Sequence, residues 1–463
     1  MRTILPLLLA TPLLTAAALP AGSAGSAPRD TKPRVLVLTD ISSLTAGVRE
    51  PDDGQSLIRF LLYSCHWDVE GLVASSNMGH GQVVRPELIR QAVEAYGKVL
   101  PNLRRHHPGY PSAAALMNVV KAGQPVADRG VPVERSVGEG KDTEASEWII
   151  RQVDRRDDRP LWVLIWGGSA DLAQALWKVR QTRTPAEAER WISRVRVHSI
   201  GDQDSTGPWI REQFPTLFTV LRGRAIRGMY RGGDRSLVSP EWVEEHARNG
   251  HGPLGALYPN YNGGDIFPGP VRGIKEGDTP SFLSLIPNGL GDPAHPEWGG
   301  WGGRLRVEGE RENLLSDAID PHPDNEKDHD PRMSGVYRWR EAYQADFQAR
   351  LDWCVRPYAE ANHPPKVEVA GALRRTVRPG QSVTLDAGRS TDPDRDRLTY
   401  RWLLHEAGSY AGPVEISDAS SARARLTVPA DAAGRTLHVV VAVRDDGTPA
   451  LTHYRRVVLD CRP

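Results

Sequence analysis

Cysteine is scarce in this chain of 463 residues, which contains only Cys65, Cys354 and Cys461. Three cysteines cannot build a disulfide scaffold, and no CxxC or Cys/His spacing indicates a zinc site. In an oxidising compartment, Cys354 and Cys461 could pair and tie the end of the chain to the start of its last domain. Cys65 lies in an apolar stretch, and we expect it to be buried and unreacted.

Net charge is also lacking. The 58 lysines and arginines equal the 58 aspartates and glutamates, so the formal net charge is zero. No basic field is therefore available to attract nucleic acid or an acidic membrane, and we expect no nucleic-acid partner.

The one long apolar segment lies at the N-terminus. Arg2 precedes the apolar residues 4–19, which are too few to span a bilayer comfortably, and small residues follow at 21–27. This pattern predicts a secretory signal peptide over residues 1–27, with a retained anchor helix as the alternative. Because no later segment is long and apolar enough to be transmembrane, we expect a secreted or periplasmic protein with no membrane span after signal cleavage.

Short β-type runs alternate with longer helical segments from about residue 33 to 220. This order predicts a mostly parallel sheet flanked by helices on both faces, within an α/β domain over residues 33–355. The expected strands are 35–38, 69–75, 161–166 and 195–200, and the expected helices are 55–64, 86–96, 112–122, 145–154 and 170–180.

Residues 230–330 have little periodicity and are rich in Gly, Pro, Asn and Trp. Loops this long in a compact domain are usually functional or disordered, and the scattered aromatics favour ordered loops that build a site. Residues 337–354 then predict a closing helix, because apolar and aromatic residues recur there every four positions.

The last part of the chain changes to short alternating strands. Residues 356–366 predict a linker, and residues 367–463 predict a β-sandwich whose first strand is 367–369. The segment 392–402 resembles the DPDGD…Y.W signature of PKD-like, immunoglobulin-type modules, with Arg395 in place of the usual Gly. Such modules say nothing by themselves about catalysis.

Three carboxylates follow the first predicted strand. The apolar run 35–38 leads to Asp40, and Asp52 and Asp53 precede the next helical segment. Ligands of open α/β sheets bind at the carboxyl ends of the strands. Carboxylates gathered there repel one another unless a cation or a shared proton relieves the repulsion, and hard oxygen ligands suit calcium or magnesium. The alternative is that Asp40 caps a turn and that Asp52 and Asp53 cap the helix.

The arrangement resembles the nucleoside hydrolase superfamily, where a strand ends in Asp-x-Asp-x-Gly-x-Asp-Asp and the carboxylates hold calcium and activate a water. Asp40 matches the second Asp of that motif, and Asp52 and Asp53 match the closing pair. Two departures are that Leu38 replaces the first Asp and that residues 41–51 contain an insertion.

Further positions follow from the same resemblance. Asn77 aligns with an Asn that contacts the sugar, and residues near Trp166 would present a backbone carbonyl to the metal. Asp292 falls where the family has His-Asp-Pro, which makes it the expected last calcium ligand. Gly291 replaces the His of that motif, which in one branch helps to expel the base.

The match is closer to a secreted branch, the cellulose-binding, nucleoside-hydrolase-like domain proteins that end in an immunoglobulin-like domain. Segments 104–111, 207–211 and 298–304 carry it, so the resemblance covers nearly the whole mature chain. It implies a carbohydrate or nucleoside-like ligand and a Ca²⁺ cofactor. The implied calcium ligands are Asp40, Asp53, Asp292 and the carbonyl near Trp166.

The expected sugar contacts form two groups. The polar contacts implied by the resemblance are Asp52, Asn77, Asp202, Gln203 and Asp204. Trp209, Trp298 and Trp301 form the second group, because indole faces stack on sugar rings and the neighbouring glycines favour exposure at the pocket mouth, with ordinary packing as the alternative. Arg304 would pair with a site carboxylate or grip an anionic group, unless it is merely solvated.

Two functions remain open from the sequence. The resemblance implies hydrolysis of a glycosidic or N-glycosidic bond by a calcium-held water, with Asp40 accepting the proton. The alternative is a non-catalytic protein that binds cellulose or a cell-wall polysaccharide in the same cleft, which the replacement of the family His by Gly291 favours.

Overall fold

A computed structural model of the chain describes residues 32–44, 52–76, 83–263, 271–326 and 330–463. Residues 33–463 form one compact unit. The predicted signal peptide 1–27, Asn77 and most of the inserted loop lie outside the described residues. Among the helices in the described ranges, none is long and apolar enough to cross a membrane.

An eight-stranded sheet forms the centre of the first domain, with strand order β3-β2-β1-β4-β5-β6-β8-β7. All neighbouring strands are parallel except β7, which pairs antiparallel with β8 at one edge. The predicted α/β class is therefore confirmed. The strands are β1 (Arg34–Thr39), β2 (Asp68–Ala74), β3 (Val120–Ala122), β4 (Leu161–Ile165), β5 (Val195–Ser199), β6 (Phe218–Leu221), β7 (Leu305–Glu308) and β8 (Arg311–Asp317).

Helices cover both faces of this sheet. Along β1, Val35 and Val37 point into one apolar cluster and Leu36 and Leu38 into another, as expected when successive side chains face opposite sides. The α-helices are α1 (Asp52–Tyr63), α2 (Pro86–His106), α3 (Ala113–Asn118), α4 (Glu144–Asp154), α5 (Ala170–Thr182), α6 (Pro185–Ile192), α7 (Thr206–Gln213), α8 (Pro240–Val243), α9 (Gly252–Ala256), α10 (Pro280–Leu283), α11 (Ser334–Tyr337) and α12 (Arg340–Asp352).

Some predicted boundaries are wrong. The helix predicted over 112–122 ends at Asn118, and Val120–Ala122 instead pair with β2 as an edge strand, because β-branched residues fit a strand better than a helix end. The region 230–330, expected to be loops, also contributes the β7–β8 hairpin to the sheet.

The C-terminal part is a β-sandwich of a three-stranded and a four-stranded sheet, ordered β10-β13-β12 and β11-β14-β15-β9. The predicted strand 367–369 is not formed, and Arg374–Val377 occupies an edge instead. Arg395 has φ +71°, a left-handed conformation that explains the usual Gly at this position. The strands are β9 (Arg374–Val377), β10 (Ser382–Asp386), β11 (Thr399–His405), β12 (Ile416–Ser417), β13 (Arg423–Thr427), β14 (Thr436–Arg444) and β15 (Thr452–Cys461).

The sandwich packs tightly on the α/β domain. Tyr454 belongs to the apolar cluster of the α/β domain, and its backbone N–H donates to the carbonyl of Asn288 at 2.8 Å. Asn362 and His363 of the predicted linker are buried and hydrogen-bonded. The linker segment therefore forms part of the contact between the two domains rather than a loose tether.

The three cysteines are buried thiols that form no disulfide bond. Cys354 lies just beyond the C-terminal end of α12, where its thiol contacts the carbonyl of Arg350, and Cys461 ends β15 with its thiol near the carbonyl of Leu459. The hypothesis of a Cys354–Cys461 disulfide is therefore not supported by the structure.

Candidate functional site

A cavity of about 390 Å³ lies where β1, β5 and β6 end. Strands that run parallel bring the residues after them to one edge of the sheet, and this edge is where α/β folds bind ligands. The volume falls within the range of small-molecule sites. The lining residues are Asp40, Asp52, Asp53, Arg129, Ile200, Gly201, Asp202, Gln203, Leu221, Arg222, Gly223, Arg224, Ile226, Arg227, Tyr230, Lys275, Gly277 and Asp278.

Asp40 is the first residue after β1 and is 2% exposed. Gly167, which follows β4, packs against it so closely that an added Cβ would lie 2.5 Å from Asp40 Cβ and 2.8 Å from its backbone nitrogen. Only a glycine fits at position 167 without moving Asp40. The neighbouring strand thus fixes where this carboxylate stands.

Asp52 and Asp53 open the first turn of α1. Carboxylates at a helix N-terminus are stabilised by the helix dipole, so these residues serve the helix and also line the cavity. The Thr39 hydroxyl donates a hydrogen bond to Asp53, and Lys275 Nζ lies 3.4 Å from Asp52 Oδ2. One oxygen from each of Asp52, Asp53 and Asp278 lies within 4.8 Å of the others.

The residues that follow β4 and β5 contribute another part of the cavity wall. The carbonyl of Trp166 accepts a hydrogen bond from the side-chain amide of Gln203, and the indole of Trp166 is buried and donates to Ser281. Asp202 lines the cavity and makes two 2.7 Å hydrogen bonds to the guanidinium of Arg211. Gln203 and Asp202 therefore both lie at the cavity wall.

A cationic wall, Arg222, Arg224 and Arg227, follows β6 and was not predicted from the sequence. Asp317, at the end of β8, fixes the backbone of the turn that follows β6. Its Oδ2 accepts hydrogen bonds from three consecutive backbone N–H groups, those of residues 223, 224 and 225, at 2.9 to 3.1 Å. Its Oδ1 lies 2.5 Å from Nε of the buried Arg222.

Tyr230 joins the cationic and acidic parts of the cavity. Burial raises the pKa of its hydroxyl to about 12, with opposing contributions from nearby Lys275 and Arg227 and a reinforcing one from Asp52. These charges therefore act on one hydroxyl, which stays protonated at neutral pH.

The family described as "Cellulose-binding Sde182, nucleoside hydrolase-like domain" matches residues 34–305. The chain belongs to this family. A second match, "Cellulose-binding protein Sde0182, C-terminal domain", covers residues 382–461.

A solved structure agrees with this assignment over almost the whole chain. A nucleoside hydrolase-related hypothetical protein from Saccharophagus degradans, associated with carbohydrate metabolism, is 32% identical, with a TM-score of 0.77 over 93% of this chain and all of its own. The PKD domain of the KIAA 1837 protein is 19% identical over 21% of this chain and 86% of its own, with a TM-score of 0.16. No curated protein matches the chain significantly.

Asp278, and not Asp292, lies at the cavity with the other carboxylates. Asp292 is half-buried outside the cavity, accepts a hydrogen bond from the backbone N–H of Ala294, and lies within electrostatic reach of Arg456 in the β-sandwich. Asp278 is 1% exposed and lies against Asp52 and Asp53. The order Gly-Asp occurs at 277–278 as well as at 291–292, so this dipeptide does not by itself show which aspartate lies at the cavity.

Asp204, predicted as a sugar contact, does not line the cavity in this member of the Sde182 family. It is buried, and its oxygens accept hydrogen bonds from Ser169 and from the backbone and hydroxyl of Thr206. Its role is to hold the turn after β4 against the start of α7.

None of the three predicted tryptophans lines the cavity. Trp301 is fully buried between the domains, where its indole N–H donates to the Tyr454 hydroxyl at 3.2 Å. Trp298 is half-buried, stacked on His295 with ring centroids 4.1 Å apart. Trp209 packs on Phe214. Trp301 is therefore not exposed, because the second domain covers it, while Trp298 and Trp209 are half-buried and lie outside the described cavity lining.

Arg304 also lies outside the cavity. Its Nε is 2.7 Å from Asp320 Oδ1, and its Nη2 donates to the carbonyl of Ile319. The predicted pairing with a carboxylate is therefore present, but Asp320 is not one of the carboxylates that line the cavity.

Proposed function

We propose that the cavity binds a divalent cation and a sugar, and that it hydrolyses a glycosidic or N-glycosidic bond of that sugar. The observation that carries the proposal is the group of carboxylates Asp52, Asp53 and Asp278, with oxygens within 4.8 Å of one another, next to the buried Asp40. Membership of a family described as cellulose-binding supports a carbohydrate ligand.

The donor set fits a hard cation such as calcium. Carboxylate oxygens at this spacing repel one another, and calcium takes six to eight oxygen ligands in a flexible geometry. Asp53 and Asp278 are 3% and 1% exposed, so water screens their charges poorly. The Trp166 carbonyl accepts one hydrogen bond from the Gln203 amide, so its second lone pair could still bind a cation. A bound cation would lower the pKa of a ligated water and hold sugar hydroxyls.

In this proposal Asp40 takes the proton from the attacking water. It lines the cavity beside Asp53 and is fixed by Gly167, so its carboxylate is held before substrate arrives. A carboxylate that accepts the proton as water attacks an anomeric carbon is a general base. Gln203 and Asp202 are placed to orient sugar hydroxyls.

A non-catalytic sugar-binding function is the second candidate. It is favoured by the lack of histidine among the described residues that line the cavity, where Gly277 precedes Asp278. A departing oxygen or nitrogen needs a proton unless it is already a good leaving group. The hydrolase and the binding protein therefore differ in turnover rather than in the place of the ligand.

Calcium titration by calorimetry of two aspartate variants tests the cation site. Asp278→Asn is expected to weaken calcium binding at least tenfold, because it removes a charged ligand from the group. Asp292→Asn is the matched control, since Asp292 lies outside the cavity, and it should bind calcium as the wild type does. Equal affinity of all three proteins, or no calcium binding by the wild type, would overturn the cation site.

Turnover is tested with p-nitrophenyl glycosides and nucleosides in the presence of calcium. The nitrophenolate leaves without protonation, so this assay needs the base and the cation but no acid. The hydrolase proposal requires release of nitrophenolate and its loss in Asp40→Ala. Sugar binding without turnover of any substrate would select the non-catalytic function.

We also propose that the protein acts outside the cytoplasm, on the strength of the N-terminal pattern of Arg2 and the apolar residues 4–19. N-terminal sequencing of protein from the culture medium or periplasm should begin within residues 25–28. A mature chain that retains Met1 in the cytoplasm would contradict this.

A further inference from the structure

We infer that the sugar bound in the cavity carries an anionic group, a carboxylate or a phosphate, and that Arg224 and Arg227 bind it. This inference rests on the proposed function, because it names the class of ligand for the same cavity. It goes beyond that function because a neutral polysaccharide such as cellulose has no such group.

The charges around the cavity provide the first argument. The described lining residues include five carboxylates and five cationic side chains, so their formal charges cancel. A divalent cation among the carboxylates would give this described lining a net positive charge. An anionic ligand relieves this excess, and a neutral one does not. These lining residues are Asp40, Asp52, Asp53, Asp202, Asp278, Arg129, Arg222, Arg224, Arg227 and Lys275.

The pairing of the cationic side chains provides the second argument. Lys275 is close to Asp52, and Arg222 is close to Asp317. Within the described ranges, the guanidinium groups of Arg224 and Arg227 have no carboxylate at ion-pair distance. They are accessible, since Arg224 is exposed and Arg227 is half-buried. Asp330 acts on Arg224 only from beyond ion-pair distance. Two guanidinium groups in one cavity can therefore bind an anion, because their planar donors match carboxylate and phosphate.

The wall is also held in place before a ligand binds. Asp317 fixes the backbone at residues 223–225, and Ala225–Met229 continues as a 3₁₀ helix that carries Arg227. A site that is already ordered spends less binding free energy on ordering its residues. Asp317 is thus a positioning residue for the cationic wall.

The cationic wall and the acidic group are near enough to engage one small ligand. An added Cβ on Gly277 would lie 3.2 Å from Asp52 Oδ2 and 4.0 Å from Ile226 Cδ1, which places the turn after β6 against the acidic side. Tyr230 experiences the charges of Arg227 and Asp52 together. A sugar ring whose hydroxyls face the carboxylates can therefore direct an anionic substituent to the arginines.

The test is a set of matched sugar pairs that differ only in the anionic group, titrated in saturating calcium by calorimetry or ligand-observed NMR. The pairs are glucose and glucuronate, galactose and galacturonate, glucose and glucose 6-phosphate, and ribose and ribose 5-phosphate. At least one anionic member should bind ten times more tightly than its neutral partner. The uronates and sugar phosphates report separately which anion the wall accepts, and inorganic phosphate alone should bind more weakly than the preferred sugar phosphate.

Variants assign any preference to the cationic wall. The double variant Arg224→Gln, Arg227→Gln should reduce the ratio of anionic to neutral affinity at least tenfold. Arg235→Gln is the matched control, since Arg235 is exposed and lies outside the cavity, and it should keep the wild-type ratio. Circular dichroism and thermal unfolding verify that the variants are folded.

The outcomes separate this inference from the proposed function. If neutral and anionic partners bind equally well, or if the double variant keeps the wild-type ratio, the inference is wrong and the sugar site stands. If no sugar of either kind binds in calcium, the proposed function fails and the inference fails with it.

Discussion

Replacing Gly167 by alanine would test how the fold sets the position of Asp40. The new Cβ would lie 2.5 Å from Asp40 Cβ, 2.7 Å from its Cγ and 2.8 Å from its backbone nitrogen. Non-bonded carbon atoms prefer about 3.5 to 4.0 Å, so a displacement of about 1 Å is needed. Because one of the three contacts is with backbone, a side-chain rotation alone cannot relieve the overlap.

The displacement has two measurable costs. Overpacking of a well-filled site typically costs about 1 to 3 kcal/mol, which we expect in the free energy of unfolding of Gly167→Ala. A shift of about 1 Å in a positioned group lowers catalytic rate on the order of 100-fold. We therefore expect turnover, or sugar binding if there is no turnover, to fall more than stability alone explains.

The assay combines urea unfolding with calcium and sugar titration. Gly300→Ala is the matched control, because Gly300 is also buried and its added Cβ would have no neighbour nearer than 3.7 Å. An alanine in such a place is tolerated or slightly stabilising, since it restricts the unfolded chain. If Gly167→Ala matched Gly300→Ala in stability and ligand binding, the proposed role of Gly167 in holding Asp40 would be refuted.

Three further predictions concern buried side chains that do not line the cavity. Asp317→Asn should lower the free energy of unfolding by about 3 to 5 kcal/mol, measured in urea, because it leaves buried Arg222 without its counter-charge; a change below about 1 kcal/mol would contradict this. Trp301→Ala should lower the free energy of unfolding by about 3 to 5 kcal/mol, while the protein that remains folded keeps its affinity for sugar. A loss of sugar binding without a loss of stability would instead show that Trp301 stacks on the sugar. Burial lowers the pKa of His438 to about 4, so the unfolded chain takes up its proton first as pH falls from 6.5 to 4, and native stability decreases. Between pH 6.5 and 4, the free energy of unfolding of the wild type should therefore fall by up to about 1.4 kcal/mol per pH unit more than that of His438→Gln. If the two free energies fell in parallel with pH, the lowered pKa of His438 would be refuted.

The acidic half of the site could be predicted from the sequence because its determinants are local. Asp40 follows a strand, and Asp52 and Asp53 begin a helix, so the strand and helix patterns already place them at one edge of the sheet. Asp278 could not be chosen over Asp292 in this way. Both lie in the aperiodic region, where residue spacing does not indicate which loop returns to the sheet.

The cationic wall was missed for a related reason. Arg222 follows β6 directly, which is a signal that strand-end reasoning could have used. Its partner Asp317 ends β8, 95 positions later, and only the parallel pairing of β6 with β8 brings the two together.

The position of the tryptophans bears on how this protein recognises a sugar. Trp298 and Trp301 lie in the contact between the domains, and Trp209 packs on Phe214. Among the described lining residues of the cavity, Tyr230 is the one aromatic, and it is largely buried. Stacking, which neutral sugars depend on, therefore has little surface here, whereas ten charged side chains line the same space. The lining therefore favours the proposed recognition through charge, with a cation at the carboxylates and an anion at Arg224 and Arg227, over recognition by stacking.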